Sequence, residues 1–145
     1  MKEKSSEFQT KRSMSISRKD AKELISGGYS VLLNYNSPFA EELYIAMSCG
    51  LYRPKCIVEY TRKAFLMPEN SIRLTFDHNL RNTETSFDFF SPKLNMNPMI
   101  PSDCIVFEVK YNNFLFSHVK DLIRECDKTE TSFSKYCEGR KSLYY

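Results

Sequence analysis

The sequence predicts an α+β fold, an antiparallel sheet with one polar and one apolar face and helices packed outside it. Three observations carry the prediction. The stretch Ile105-Val106-Phe107-Glu108-Val109-Lys110-Tyr111 alternates with period two, placing Ile105, Phe107, Val109 and Tyr111 on one side and Val106, Glu108 and Lys110 on the other. Residues 56–66 and 71–78 are strand-like runs on either side of Pro68-Glu69-Asn70, which makes a hairpin. Apolar residues also recur at helical spacing before and after these strands.

The 145 residues suffice for one domain with a core, and 41% hydrophobic with 27% charged residues is the balance of a soluble globular protein. A net charge of +3 gives no general reason to expect nucleic acid or membrane binding, so functional basicity must come from local clustering. Five cysteines, an odd number without CxxC spacing, fit reduced thiols in a cytoplasmic protein. His78 and His118 make no metal-ligand pair, which argues against zinc. No apolar run reaches transmembrane length, and the polar start lacks the pattern of a signal peptide.

In chain order, residues 10–17 alternate weakly, with Met14 and Ile16 on one side, and are expected to form a strand. Ser17 with Asp20 three residues on reads as a capping box opening a short helix through Ala21, Leu24 and Ile25, ended by Gly27-Gly28. Residues 29–33 are apolar without a decisive period. Ser37-Pro38 opens a second helix, with Glu41 and Glu42 in its first turn, a stripe of Phe39, Leu43, Ala46 and Met47, and Gly50 at its end. After the hairpin, residues 81–103 carry Pro92, Pro98 and Pro101; so long a connection is expected to pair in part as a short strand. Beyond the strand at 105–111, Leu115, Val119, Leu122, Ile123 and Cys126 mark a helix, and a last one is expected over 131–138 with Gly139 past its end.

Several of these strands carry a basic or acidic residue mid-strand. Arg73, Thr75 and Asp77 alternate with Ile72, Leu74 and Phe76; Val58, Tyr60, Arg62 and Ala64 alternate with Glu59, Thr61, Lys63 and Phe65. The pattern suggests a curved sheet whose polar side chains line the concave surface. Two cationic heads about 6 Å apart at an effective dielectric of about 20 repel by roughly 3 kcal/mol. Converging Arg62, Arg73 and Lys110 would need a compensating anion that Glu108 alone cannot supply; a polyanion, with a divalent metal on Glu108, would. The ordinary reading is an antiparallel sheet with one wet, mixed-charge face. In that reading Glu108 pairs with Arg73 or Arg62, Lys135 is an exposed lysine, Lys63 and Lys120 face solvent, and Tyr60, beside Arg62, belongs to the core or supports that arginine rather than acting in catalysis.

The stretches Ile57-Val58-Glu59-Tyr60-Thr61-Arg62-Lys63-Ala64-Phe65, Ile72-Arg73-Leu74-Thr75-Phe76-Asp77, Val106-Phe107-Glu108-Val109-Lys110-Tyr111 and Ser132-Phe133-Ser134-Lys135-Tyr136 resemble, in order and approximate spacing, successive motifs of the VTC domain. This is the polyphosphate polymerase domain of the vacuolar transporter chaperone family, within the triphosphate tunnel metalloenzymes (CYTH-like). The resemblance implies an antiparallel β-barrel, a tunnel with a charged lumen, and an ATP-dependent phosphotransferase that extends polyphosphate with Mn²⁺ or Mg²⁺. Arg62 and Arg73 resemble the family's phosphate-clamping arginines, and Lys135 its lumen lysine from the C-terminal helix. Glu108 resembles its metal-coordinating glutamate. Lys11 resembles a lumen lysine from an earlier strand, and Lys2 and Lys4 the end of the strand before it; Lys110 shares the face of Glu108.

The family's initial Glu- and Lys-bearing strand and its Arg-x-Arg strand have no counterpart here. The expectation is therefore a single domain over 1–145 corresponding to the C-terminal half of the family, an incomplete barrel whose exposed strand edges invite self-association. The resemblance implies ATP and polyphosphate as ligands, no nucleic acid, and a membrane-protein partner. A tunnel-fold triphosphatase and a non-catalytic polyphosphate- or triphosphate-binding fragment are the alternatives.

Overall fold

A computed structural model describes residues 2–5 and 8–141, with side chains from residue 11 onward. Contacts divide the chain into two compact units, Met1–Lys55 with Phe87–Ser91, and Cys56–Ser86 with Pro92–Tyr145. No helix among the described residues is long and apolar enough to cross a membrane.

In the first unit, β1 (Lys2–Ser5) and β2 (Phe8–Lys11) form an antiparallel pair with Lys2 opposite Lys11. The strand expected over 10–17 thus ends at Lys11, and the chain runs irregularly to Ser17, whose N–H donates to the Tyr35 hydroxyl at 2.8 Å. Ser17 caps α1 (Arg18–Ser26) as expected: its hydroxyl accepts from the Asp20 N–H at 3.1 Å and donates to the Asp20 carboxylate at 2.7 Å. Gly27 closes the helix in the left-handed region, φ 96°, where a Cβ would be strained. The ambiguous run after it is a 3₁₀ helix, Tyr29–Tyr35, that buries Tyr29, Val31 and Leu32. Pro38 then opens α2 (Pro38–Cys49). Ser37 occupies its N-cap position, but its hydroxyl makes no cap bond; its carbonyl accepts from Ala40 and Glu41 instead.

The second unit is built on the hairpin of β3 (Ile57–Met67) and β4 (Ile72–Thr83), with Met67 opposite Ile72 and Arg62 opposite Asp77. On its far side β4 pairs with β5 (Asn97–Pro98) and β6 (Val106–Lys110). The short strand expected inside 81–103 is therefore present. The sheet is antiparallel but, among the described residues, open: β3 pairs with β4 alone, and no closed barrel forms. The expected antiparallel sheet with helices outside it is present, and its open edges match the incomplete barrel expected of this chain.

Because opposite residues in a ladder share a face, the register sorts every side chain. Ile72, Leu74 and Phe76 lie with Met67 and Phe65 of β3 and with Val109 and Phe107 of β6. Phe76 stacks on Phe107 at 4.7 Å and meets the edge of Phe65 at 5.9 Å. Helix α3 (Ser117–Arg124) covers this side through Val119 and Ile123, with Leu115 just before it, while Leu122, expected in the stripe, is exposed. The other face carries Arg73, Thr75 and Asp77 with Arg62 and Ala64 of β3 and Glu108 and Lys110 of β6.

Between His78 and Arg81 the ladder slips. Thr61 opposes His78 and Glu59 opposes Arg81, so Asn79 and Leu80 share the place facing Tyr60. Asn79 absorbs the extra residue at φ 52°, the left-handed region that asparagine tolerates. The bulge inverts the alternation, so that Leu80 and Asn82 continue the face of Asp77. Thr75, Asp77, Leu80 and Asn82 are all buried there.

Helix α4 (Lys135–Lys141) lies over that face, and the Asn82 side-chain amide donates to the Gly139 carbonyl. Gly139 is inside the helix and buried, not past its end as expected. An added Cβ would stand 3.4 Å from Val58 Cγ2 and 3.6 Å from the Asn82 side chain, so its spacing reflects helix packing rather than a stop.

Candidate functional site

Mid-strand on the polar face, the Arg62 guanidinium clamps Asp77 bidentately, Nε to Oδ1 at 2.6 Å and Nη2 to Oδ2 at 2.7 Å. Lys135, the first residue of α4, brings Nζ to 2.7 Å from the same Oδ2. Both cations also flank one ring, the Arg62 guanidinium carbon 5.2 Å and Lys135 Nζ 4.9 Å from the Tyr60 centroid. Three secondary-structure elements thus meet at one carboxylate, which is 1% exposed while the Arg62 and Lys135 side chains keep 33% and 25%.

The electrostatics follow. The Arg62 hydrogen bonds, aided by Lys135 and opposed by burial, hold the Asp77 carboxyl below the usual carboxylate range. The same bonds bind the Arg62 proton more tightly than usual, and the nearby charges of Asp77 and Glu108 add to this.

One register step along, Glu108 faces Thr75, and Lys110 faces Arg73. Lys110 Nζ lies 3.1 Å from Glu108 Oε1, so the expected metal ligand has a neighbour on its own strand rather than Arg62 or Arg73 as a partner. Arg73 makes no ion pair among the described residues. With Lys110 it lines a groove of about 500 Å³ whose other wall includes Leu66 and Met67. Four cationic side chains, Arg62, Arg73, Lys110 and Lys135, therefore share the face with two carboxylates, Asp77 and Glu108.

The structure brings Arg62, Arg73, Glu108, Lys110 and Lys135 to one face. Lys11 belongs to the first unit, exposed at the end of β2. The Lys2 and Lys4 side chains lie outside the described residues. Sequence reasoning left Asp77 out of the site. It had placed Asp77 on the face of Arg73, and counting back along the hairpin from its turn sets Asp77 against Arg62. Tyr60 is 37% exposed, so it is not core, and it packs between the two cations as the expected neighbour of Arg62.

No group of three His, Cys, Asp or Glu able to hold a metal exists among the described residues. Asp77 is engaged by two cations and Glu108 by Lys110 alone, so of the two carboxylates Glu108 is the one that could exchange its partner for a hard cation. Such an ion would complete its shell with phosphate oxygens and water, the usual habit of Mg²⁺.

The sequence profile of the VTC domain matches residues 1–144. The chain belongs to the VTC domain family. Comparison with curated proteins and with solved structures finds no match. Within this VTC domain, three of the four motif stretches are the strands β3, β4 and β6, and the fourth leads into α4.

Proposed function

We propose that this VTC domain is of the polyphosphate polymerase type, transferring the γ-phosphate of ATP to a polyphosphate chain in a metal-dependent reaction. The observation that carries it is the excess of cations on one sheet face, with two arginines and two lysines held on three strands and a helix. Phosphoryl transfer asks little covalent work of a protein; positioning and neutralisation of charge supply most of the catalysis. The acceptor oxygen of polyphosphate is already anionic at neutral pH, so no side-chain base is required.

In this reading Arg73 grips phosphate oxygens with its guanidinium fork and Lys110 adds a second positive charge beside it. Arg62 and Lys135, held in place by Asp77, meet the transferring group. Glu108 would hold Mn²⁺ or Mg²⁺, which would neutralise phosphate charge when bound. Incubation with ATP and Mn²⁺ followed by product analysis tests it: long polyphosphate is expected, and free phosphate as the sole product points to a triphosphatase.

One observation favours a second reading, a non-catalytic polyphosphate-binding module. Asp77 already engages both Arg62 and Lys135 and Glu108 engages Lys110, leaving Arg73 to meet an anion. That reading requires tripolyphosphate binding with no metal-dependent ATP consumption.

A further inference from the structure

We propose that β3 is the dimerisation edge of this chain, pairing antiparallel with β3 of a second copy about a two-fold axis at Thr61. Strand β3 is 11 residues long, yet it pairs only with β4 among the described residues, and Glu59 to Leu66 are all exposed. An unpaired edge of this kind presents a row of free backbone donors and acceptors. Of the devices that blunt such edges, β3 lacks short length and proline, and the bulged residue, Asn79, is on β4; the charges it does carry, Glu59, Arg62 and Lys63, are of both signs and can pair across a two-fold axis. Its exposed side chains include Phe65 at 59% and Leu66 at 74%.

The occupant follows from the sequence of the edge itself. A two-fold axis through Thr61 sets Glu59 opposite Lys63 of the second copy, and Lys63 opposite its Glu59. The same register sets Tyr60 against Arg62, Val58 against Ala64 and Ile57 against Phe65. Each facing pair is an opposite-charge, cation–π or apolar match, the combinations that stabilise antiparallel neighbours. Shifting the axis to Arg62 would set Arg62 against itself, a like-charge contact. Because the axis is perpendicular to the sheet, the contact is isologous and the two sheets continue as one, with both Arg62–Asp77 clusters on the same side.

The full-length chain is tested by sedimentation and by cross-linking. A reversible dimer is expected, with Lys63→Glu raising its dissociation constant by about tenfold and Glu59→Lys doing likewise. The double variant E59K/K63E should restore it, with circular dichroism confirming the fold of each. Thr61→Cys should form a disulfide-linked dimer under mild oxidation that the wild type, with its five native thiols, does not form. Facing Cα atoms in such a ladder are about 4.5–5.5 Å apart, within disulfide reach. A cross-link that ignores the charge swaps overturns the register. A chain that stays monomeric, with the introduced thiol shielded from alkylation, has its edge covered by its own segments, and this overturns the proposal.

Discussion

At the residue scale, Asp77 decides the state of the site. Removing its charge in Asp77→Asn leaves two cations facing one another. Breaking a fully buried pair costs about 3–5 kcal/mol; because Arg62 and Lys135 retain partial contact with water, roughly 2–3 kcal/mol is expected here. The pH dependence has a definite sign. The folded carboxyl titrates below its ordinary value of 3.8, so its contribution is complete above that value and is lost as pH falls through the depressed one. Urea unfolding of wild type and Asp77→Asn should therefore give a constant gap from pH 5 to 7 and convergence only in stronger acid, below about pH 4. A gap that closes near neutrality would contradict the assignment.

Arg73 should behave in the opposite way. It makes no ion pair among the described residues, so Arg73→Ala should change stability by less than about 0.5 kcal/mol. Loss of a bidentate phosphate contact should nonetheless weaken tripolyphosphate binding by about tenfold, corresponding to roughly 1.4 kcal/mol. Calorimetric titration beside a denaturation curve separates the two effects. These residues differ in how legible they were. Arg62, Arg73 and Glu108 could be read because strand alternation fixes the face of a side chain. The Arg62–Asp77 pair could be reached by counting from the hairpin turn, but the Lys135 contact could not, since it depends on where α4 comes down.

At the element scale, helix caps and the hairpin turn were readable because their signals are local. Ser17, Gly27, Pro38 and the Pro-Glu-Asn turn act within a few residues of where they stand. Gly139 misled for the same reason: glycine near a helix end usually means a stop, but here the helix continues through it over Val58 and Asn82. Gly139→Ala fits at van der Waals contact and should stabilise α4 by about 0.5–1 kcal/mol through helix propensity. Gly139→Val should lift the helix and release Lys135 from Asp77. Thermal melts of the two variants, moving in opposite directions, check this.

At the scale of the whole molecule, the α+β class and the two-faced sheet were legible in the sequence, while closure was not. Alternation sets which side chains share a face, but it carries no information on whether the last strand meets the first. The overall charge of +3 is modest, whereas the sheet face has four cations against two carboxylates. Binding of tripolyphosphate should accordingly weaken steadily as sodium chloride rises from 0.05 to 0.5 M, since these side chains are within reach of screening ions. Salt-independent affinity in a titration series would point to a binding site elsewhere.

The bulge at Asn79 acts on the ladder as a frameshift acts on a message. Upstream of it, odd-numbered residues of β4 face the charged side; downstream, even-numbered ones do. Were the ladder to run past Asn79 without the slip, Arg81 and Thr83 would face the charged side in place of Leu80 and Asn82, and the Gly139 carbonyl would lose the Asn82 amide. Deleting Asn79 removes the slip and the extra residue together, so Leu80 alone faces Tyr60 and Asn82 keeps its place opposite Val58. The deletion should therefore leave residues 135–141 as resistant to limited proteolysis as in the wild type, and their release would contradict this register. One face of one strand thereby serves two partners: a guanidinium at one end and a helix backbone at the other.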